Sequence, residues 1–359
     1  MKKTERRQKE VHKKTRTIYV GRVPVGGGNP IVVQSMTKTE TADIKSTVKQ
    51  IKSLEKIGCE IIRVAVPDMR SAKVLSRIKK EIEIPIIADI HFDWRLALEA
   101  IDQGIDGIRI NPGNIGPGWK IKEVVKAAKE RRIPIRIGVN AGSLDRVLRK
   151  KYIHPTPEAL VESAEMSIKL FEDMDFSDIK VSLKGSDVLT TINAYRLFSE
   201  KFDYPLHVGI SEAGPPFTGT IKSSVGLGIL LSEGIGDTVR VSLTAEPEEE
   251  VRVAYEILRS LGLREKGAEI ISCPTCGRCK IDLRKIADEV EFRLRDIEKP
   301  IKVAVMGCVV NGPGEAREAD LGIAGGKGIG VLFKKGKIIK KIREEEILDE
   351  LMEEISLWK

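Results

Sequence analysis

The chain has 359 residues, 41% apolar and 32% charged, enough to bury one large core and a smaller one and unlike a disordered or fibrous composition. No apolar run approaches the roughly 18 residues of a membrane span, and the opening MKKTERRQKEVHKKTRT has charges with no apolar stretch behind them, so a cytoplasmic protein is expected and Arg6 with Arg7 is not read as an export signal. The formal charge of +8 suits an anionic substrate or an acidic protein partner, whereas 4% aromatic residues with no basic run interleaved with Phe or Tyr argue against nucleic acid.

Thr17 to Val25, with the GGGNP turn after it, reads as an extra hairpin placed to plug the bottom of a barrel. Eight short β-branched runs then recur between helical patterns: Ile31 to Met36, Glu60 to Val66, Pro85 to Ile90, Gly107 to Pro112, Pro134 to Asn140, Asp178 to Leu183, Pro205 to Ser211 and Thr238 to Leu243. Among the connections, Ile44 to Ile57 repeats apolar positions at helical spacing and stops at Gly58, and Asp93 to Ile101 ends before Gly104. Nearly all-apolar strands separated by helices predict a parallel sheet, and eight such units in about 250 residues predict a closed (β/α)8 barrel. An open doubly wound sheet is the second reading, weakened by the lack of a GxGxxG turn after the first strand. A helix from Pro247 to Leu261 completes the eighth unit. The boundary is expected near Gly262 to Ala268, dividing a barrel domain (1–265) from a second domain (266–359). The latter is expected to hold a strand at Ile301 to Met306, a Gly-rich stretch from Asn311 to Gly330 and a strand at Gly330 to Phe333. Lys334, Lys335, Lys337, Lys340 and Lys341 read as a solvated face.

Polar groups interrupt the apolar runs at or just past their C-terminal ends: Gln34, Ser35, Arg63, Asp89, His91, Arg109, Asn111, Arg136, Asn140, Ser182, Lys184, His207, Glu212, Arg240 and Ser242. Any one alone is more simply a loop residue or a satisfied ion pair. In a barrel, however, these ends converge on one face, where active sites of this fold lie. Four arginines and a lysine at one rim repel unless anions share the site, so a substrate with two or more negative charges is implied; a diphosphate fits. Asp89, His91 and Glu212 are the acid-base candidates, or else orienters of the arginines. Glu212 to Gly228 reads as a Gly-rich loop where barrels often place phosphate-binding amides.

Five cysteines in a cytosolic chain point to metal or redox chemistry. Cys59, at the start of an apolar strand, reads as a buried structural thiol. Cys273, Cys276 and Cys279 form a CxxCxxC run, and Cys308 follows in MGCVVNGPGEA. The set suits a four-cysteine zinc site or a [4Fe-4S] cluster; zinc sites more often use two separated CxxC pairs, so the run favours the cluster.

Long motifs occur in order: PIVVQSMT (Pro30 to Thr37), ADIHFD (Ala88 to Asp93), RINPGNIG (Arg109 to Gly116), IRIGVNAGSL (Ile135 to Leu144), HVGISEAG (His207 to Gly214), GIGDTVRVSLTAEP (Gly234 to Pro247), CPTCGR (Cys273 to Arg278) and MGCVVNGPGEA (Met306 to Ala316). In these, over nearly its whole length, the chain resembles the bacterial 4-hydroxy-3-methylbut-2-enyl diphosphate synthases of the non-mevalonate isoprenoid pathway. The resemblance implies a (β/α)8 TIM barrel followed by a smaller α+β iron-sulfur domain. The implied activity is a two-electron reductive ring opening of 2-C-methyl-D-erythritol 2,4-cyclodiphosphate to 4-hydroxy-3-methylbut-2-enyl diphosphate, with loss of water. A [4Fe-4S] cluster would be held by Cys273, Cys276, Cys308 and Glu315. Arg63, Arg109, Asn111, Arg136, Asn140, Lys184, Arg240 and Ser242 fall in or beside the substrate-binding motifs, with Arg109, Arg136 and Lys184 clamping the diphosphate. Glu212, or Asp89 with His91, would handle the proton.

Cys279 stands where relatives usually carry another residue and is expected not to be a ligand. A carboxylate such as Glu315 is an exchangeable ligand that a substrate oxygen can displace. Flavodoxin or ferredoxin, both acidic, would supply electrons to a homodimer in which the cluster domain of one chain caps the barrel of the other. Two rival readings are a barrel binding a phosphorylated ligand with a structural four-cysteine zinc domain, and a pterin-dependent methyltransferase.

Overall fold

The computed structural model describes residues 12–295, 297, 299–308, 316–326 and 328–358. The chain divides into two compact units, Met1–Arg264 and Glu265–Lys359. No helix among the described residues is long and apolar enough to cross a membrane.

The first unit opens with the hairpin β1 (Ile18–Val20) and β2 (Val23–Val25). Ile18, Val20 and Val25 pack on Val32, Ile61 and Ile87, so the hairpin covers the N-terminal ends of the strands that follow. These are β3 (Val32–Met36), β4 (Ile61–Ala65), β5 (Ile86–Asp89), β6 (Gly107–Ile110), β7 (Ile135–Asn140), β8 (Ile179–Lys184), β9 (His207–Val208) and β10 (Thr238–Val239). They lie in the order β8-β7-β6-β5-β4-β3-β10-β9, all parallel, and a bridge from Val181 to Leu206 joins the two ends into a barrel.

The last two strands are much shorter than their apolar runs. At Gly209 the chain passes so near its neighbour that a Cβ there would lie 2.4 Å from the Arg240 carbonyl oxygen, and the regular ladder stops.

Eleven helices connect and cover the strands among the described residues: α1 (Ile44–Lys56), α2 (Met69–Lys73), α3 (Leu75–Lys79), α4 (Trp94–Asp102), α5 (Pro112–Ile115), α6 (Gly118–Arg131), α7 (Arg146–Lys151), α8 (Pro157–Glu172), α9 (Val188–Lys201), α10 (Pro216–Ser232) and α11 (Pro247–Ser260). Side-chain caps start several of them; Asp43 accepts the Ser46 N–H and Asp93 the Arg95 N–H. Along the strands, Ile62, Val64, Ile135, Ile137, Val139, Ile179, Val181 and Leu183 join the core under the helices. The alternate positions, Arg63, Asp89, Arg109, Arg136, Lys180 and His207, are buried and polar. The sheet is therefore apolar toward its helices and charged toward the barrel axis.

The second unit holds a five-stranded sheet, β11 (Ala268–Ser272), β12 (Ile301–Met306), β13 (Leu321–Gly325), β14 (Ile329–Lys334) and β15 (Lys337–Arg343), in that order. The first three strands are parallel and the last two join antiparallel. α12 (Leu283–Leu294) and α13 (Ile347–Ser356) bury Val290, Leu294, Ile347, Leu351 and Ile355 with Val303, Val305, Ile323 and Leu332. The Gly-rich stretch thus contains β13, and the lysine run forms the turn and edge strand of a hairpin. Lys335 and Gly336, both at positive φ, make its two-residue turn. Exposed lysines along β15 blunt an edge that would otherwise pair with another chain.

Candidate active site

Asp89, the last residue of β5, is the anchor of the barrel interior. Arg109 Nη1 donates to its Oδ1 at 3.1 Å and Arg63 Nε lies 3.4 Å from its Oδ2. Burial would raise the Asp89 pKa, but the field of Arg63, Arg109 and Arg136 overrides this and holds it at about 2. Asp89 is a fixed anion at neutral pH. Arg63 is itself pulled down by burial to about 9, against the pull of Asp89, and points Nε and Nη2 at Met36 Sδ. Gly138 makes room for this arrangement, since a Cβ there would sit 2.7 Å from Arg109 Nε.

His91 is half exposed beside them. Its Nε2 faces Arg109 Nη1 at 3.2 Å, and because a guanidinium only donates, Nε2 accepts and the ring proton sits on Nδ1. Burial, then Arg109 and Arg63, keeps its pKa below the usual value despite Asp89, so His91 is neutral.

Deeper in, Arg136 is buried and, among the described residues, has no hydrogen-bond partner on Nε, Nη1 or Nη2; Lys180 Nζ is buried and equally unpartnered there. Burial, then Arg136, lowers Lys180 to about 7; burial, then Arg63, Arg136 and Arg109, lowers Lys184 to about 6. The Gln34 amide, the Ser182 hydroxyl and Asn140 Oδ1 are also unsatisfied. Buried polar groups are ordinarily paired, and the orphaned donors of this set, Arg136, Lys180, the Gln34 Nε2 and the Ser182 hydroxyl, are matched to the oxygens of an anion.

The remaining expected residues are placed differently. Asn111 is committed to structure: its Oδ1 caps α5 through the Gly113 N–H and its Nδ2 donates to Ser143 Oγ at 2.6 Å. Arg240 Nη2 lies 3.6 Å from Glu250 Oε2, and Ser242 is half-buried without a hydrogen bond. Glu212 is exposed in a left-handed turn with φ 55° and makes no hydrogen bond or ion pair among the described residues. The stretch expected as a Gly-rich loop after it is helix α10 from Pro216 onward, its Gly219 and Gly226 fitting against Leu243 and Ile210.

Lys180 and Glu250 were not singled out from sequence. Lys180 was legible by parity, two residues before Ser182 and four before Lys184 on one strand. Glu250 is hidden among the acids that open α11.

In the second unit, Cys273 and Cys308 are half-buried and Cys276 is exposed. The Gly307 N–H donates to Cys273 Sγ at 3.3 Å, and hydrogen bonds from the backbone and side chain of Arg278 hold the Cys276 thiol below its ordinary range. Cys279 instead donates its S–H to the Ile281 carbonyl at 3.3 Å and packs where a Cβ on Gly307 would stand, 2.6 Å from its Sγ. Glu315 lies outside the described residues, and among those described no three Cys, His, Asp or Glu side chains gather to hold a metal. The donor chemistry nevertheless suits a thiolate-bound iron-sulfur group: two sulfurs are served by N–H donors, and Cys279 is tied back as a thiol. Cys59 is buried and raised by burial to about 12, an inert core thiol.

A (β/α)8 barrel with a buried cationic interior, followed by a small sheet domain bearing cysteines, defines a barrel protein built for a multiply charged anion. Residues 15–255 match the family model for the GcpE TIM-barrel domain and residues 269–357 that for the GcpE protein C-terminal domain; the chain belongs to the GcpE family. It is 65% identical over 343 residues (96% of this chain, 98% of the relative) to 4-hydroxy-3-methylbut-2-en-1-yl diphosphate synthase (flavodoxin) of Thermodesulfovibrio yellowstonii. Proteins of the same name from Caldanaerobacter subterraneus (62%, covering 96% and 98%) and Geobacter sulfurreducens (59%, covering 95% and 97%) are similar as well. Among solved structures, Yersinia pestis dihydropteroate synthase in a sulfonamide complex aligns with 69% of this chain and all of its own at TM-score 0.51 and 12% identity. N-acetylneuraminic acid synthetase from Leptospira borgpetersenii aligns with 79% of this chain and 98% of its own at TM-score 0.51 and 13% identity. Both likenesses are of fold alone.

Proposed function

We propose that this chain reduces 2-C-methyl-D-erythritol 2,4-cyclodiphosphate to 4-hydroxy-3-methylbut-2-enyl diphosphate, consuming two electrons and two protons and releasing one water. The observation that carries the reading is the set of orphaned buried donors around Arg136, in a chain so similar to proteins of that name. Arg63, Arg109, Arg136, Lys184 and Arg240 bind the diphosphate, with Asn140 and Ser242 on the polyol portion. Asn111 shapes the rim through its cap. Asp89 stays ionised and aims Arg63 and Arg109; a group held at about 2 has no proton to give near neutral pH. Glu212, in no ion pair among the described residues, delivers the proton that makes the departing hydroxyl water.

A [4Fe-4S] cluster held by Cys273, Cys276, Cys308 and Glu315 supplies electrons and a Lewis-acidic iron when bound. The tied-back thiol of Cys279 supports three thiolates rather than the four of a zinc site. Flavodoxin is the donor that the relatives' names support, with ferredoxin the other acidic carrier of the class. The protein acts as a cytoplasmic homodimer, and its five free thiols suit a reducing compartment. The test is product formation from the cyclodiphosphate by anaerobically prepared protein with reduced flavodoxin. Loss of turnover with retained substrate binding in Glu212→Gln is expected; full activity in that variant would reassign the proton.

A further inference from the structure

β3 and β10, the first and last strands of the barrel, pair along one seam, and just past it sits an ion-pair cluster of which only Arg240 belongs to the proposed substrate ring. Glu250, in the first turns of α11, is 2% exposed. Its Oε1 accepts the Leu243 N–H at 3.0 Å and lies 3.2 Å from Lys38 Nζ. Lys38, from the loop after β3, also donates to the Leu243 carbonyl at 3.1 Å and to that of Ala245. Two ammonium protons are thereby given to backbone carbonyls while the charge lies against Glu250, so Lys38 fastens the loop after β10. Glu250 Oε2 has no hydrogen bond and lies 3.6 Å from Arg240 Nη2. Glu250 is the one carboxylate among the described residues within ion-pairing distance of Arg240, whose Nε is buried and unpartnered. The Arg240 backbone is fixed by the barrel, its N–H donating to the Val208 carbonyl at 3.0 Å with Gly209 packed against its own carbonyl.

We infer that Glu250 is the positioning residue for Arg240, and that Lys38 locks Glu250 in place across the seam between β3 and β10. The backbone alone leaves a long flexible guanidinium free to follow any nearby anion. A carboxylate held by Lys38 and by a backbone N–H gives it one orientation. The inference rests on the reading that Arg240 binds the substrate diphosphate.

Two physical roles for Glu250 predict opposite results. If it only dilutes the positive field, removing its charge strengthens anion binding. If it positions Arg240, any loss of the contact weakens binding, whether or not the charge remains. Glu250→Gln removes the charge at constant shape; Glu250→Asp keeps the charge and retracts it by one methylene. Calorimetric titration of the full-length protein with the cyclodiphosphate is expected to show Kd raised about tenfold in both variants, as for losing a charged contact. The same loss should appear in KM rather than in kcat, and neither variant should weaken binding further when added to Arg240→Ala, because contacting pairs are non-additive. Tighter binding in Glu250→Gln with unchanged binding in Glu250→Asp would overturn the inference, as would multiplying effects in the Arg240→Ala background. Unchanged binding in Arg240→Ala would overturn the underlying reading too, whereas weakened binding there with both Glu250 variants unchanged defeats the inference alone.

Discussion

Arg136 shows the site at the level of a single residue: a buried guanidinium with no partner among the described residues on any of its three nitrogens. Such a group costs the free protein stability, and on the proposed function the substrate's oxygens would satisfy it. Arg136→Met should therefore raise the melting temperature of the substrate-free protein while weakening cyclodiphosphate binding by about 2–4 kcal/mol. A lowered melting temperature with unchanged affinity would place Arg136 in the fold and not in the site. Lys184 makes a pH prediction. Free, it is lowered to about 6 and is neutral at pH 7.5. A bound diphosphate favours the ammonium, so binding takes up a proton. Affinity should be flat below about pH 6 and fall as the pH rises toward the bound-state pKa. Calorimetry in buffers of different ionisation enthalpy should show this uptake, and less of it in Lys184→Met; equal uptake in the two proteins would contradict the assignment. The cysteines separate in the same way. Cys279→Ser should retain iron and sulfide after anaerobic preparation, and Cys308→Ser should lose them. The arginines were legible because each interrupts an otherwise apolar run. Glu250 was not, because its contact with Arg240 exists only once α11 folds back on the barrel.

At the scale of elements, the strands of the barrel were readable in their apolar runs, since one face of each must pack on helices. What the runs concealed was the alternation. Ile135, Ile137 and Val139 face the helical core, while Arg136 and Gly138 belong to the other face of the same strand. Gly138 ties strand to site. Gly138→Ala places a methyl 2.7 Å from Arg109 Nε and should push that side chain out of position, at an overpacking cost of about 1–3 kcal/mol. Weakened substrate binding in a protein that still melts cooperatively is expected; unaltered binding would show that Arg109 is not held where the ligand needs it. β13 and β15 were hidden because glycine-rich and lysine-rich segments have little intrinsic strand preference, and their pairing with β12 and β14 supplies what the local sequence lacks. The shortened β9 and β10 are likewise tertiary in origin, set by the close pass at Gly209.

At the scale of the molecule, the chain falls into two units, one with a cationic barrel interior and one bearing Cys273, Cys276 and Cys308. On the proposed function neither suffices alone for a reductive ring opening: the barrel would bind the anion with no electrons to give, and the cysteines would hold no diphosphate. The division was foreshadowed in the sequence by the change of character after Lys266, where the cysteines begin. The central claim is that the two units carry out one two-electron reaction. Its most direct measurement is the stoichiometry of a single anaerobic experiment: iron, sulfide and zinc per chain, then product formed from 2-C-methyl-D-erythritol 2,4-cyclodiphosphate per electron supplied by reduced flavodoxin. About four irons and four sulfides per chain are expected, with one 4-hydroxy-3-methylbut-2-enyl diphosphate formed per two electrons. One zinc per chain without sulfide, and cyclodiphosphate left unconsumed, would contradict the claim.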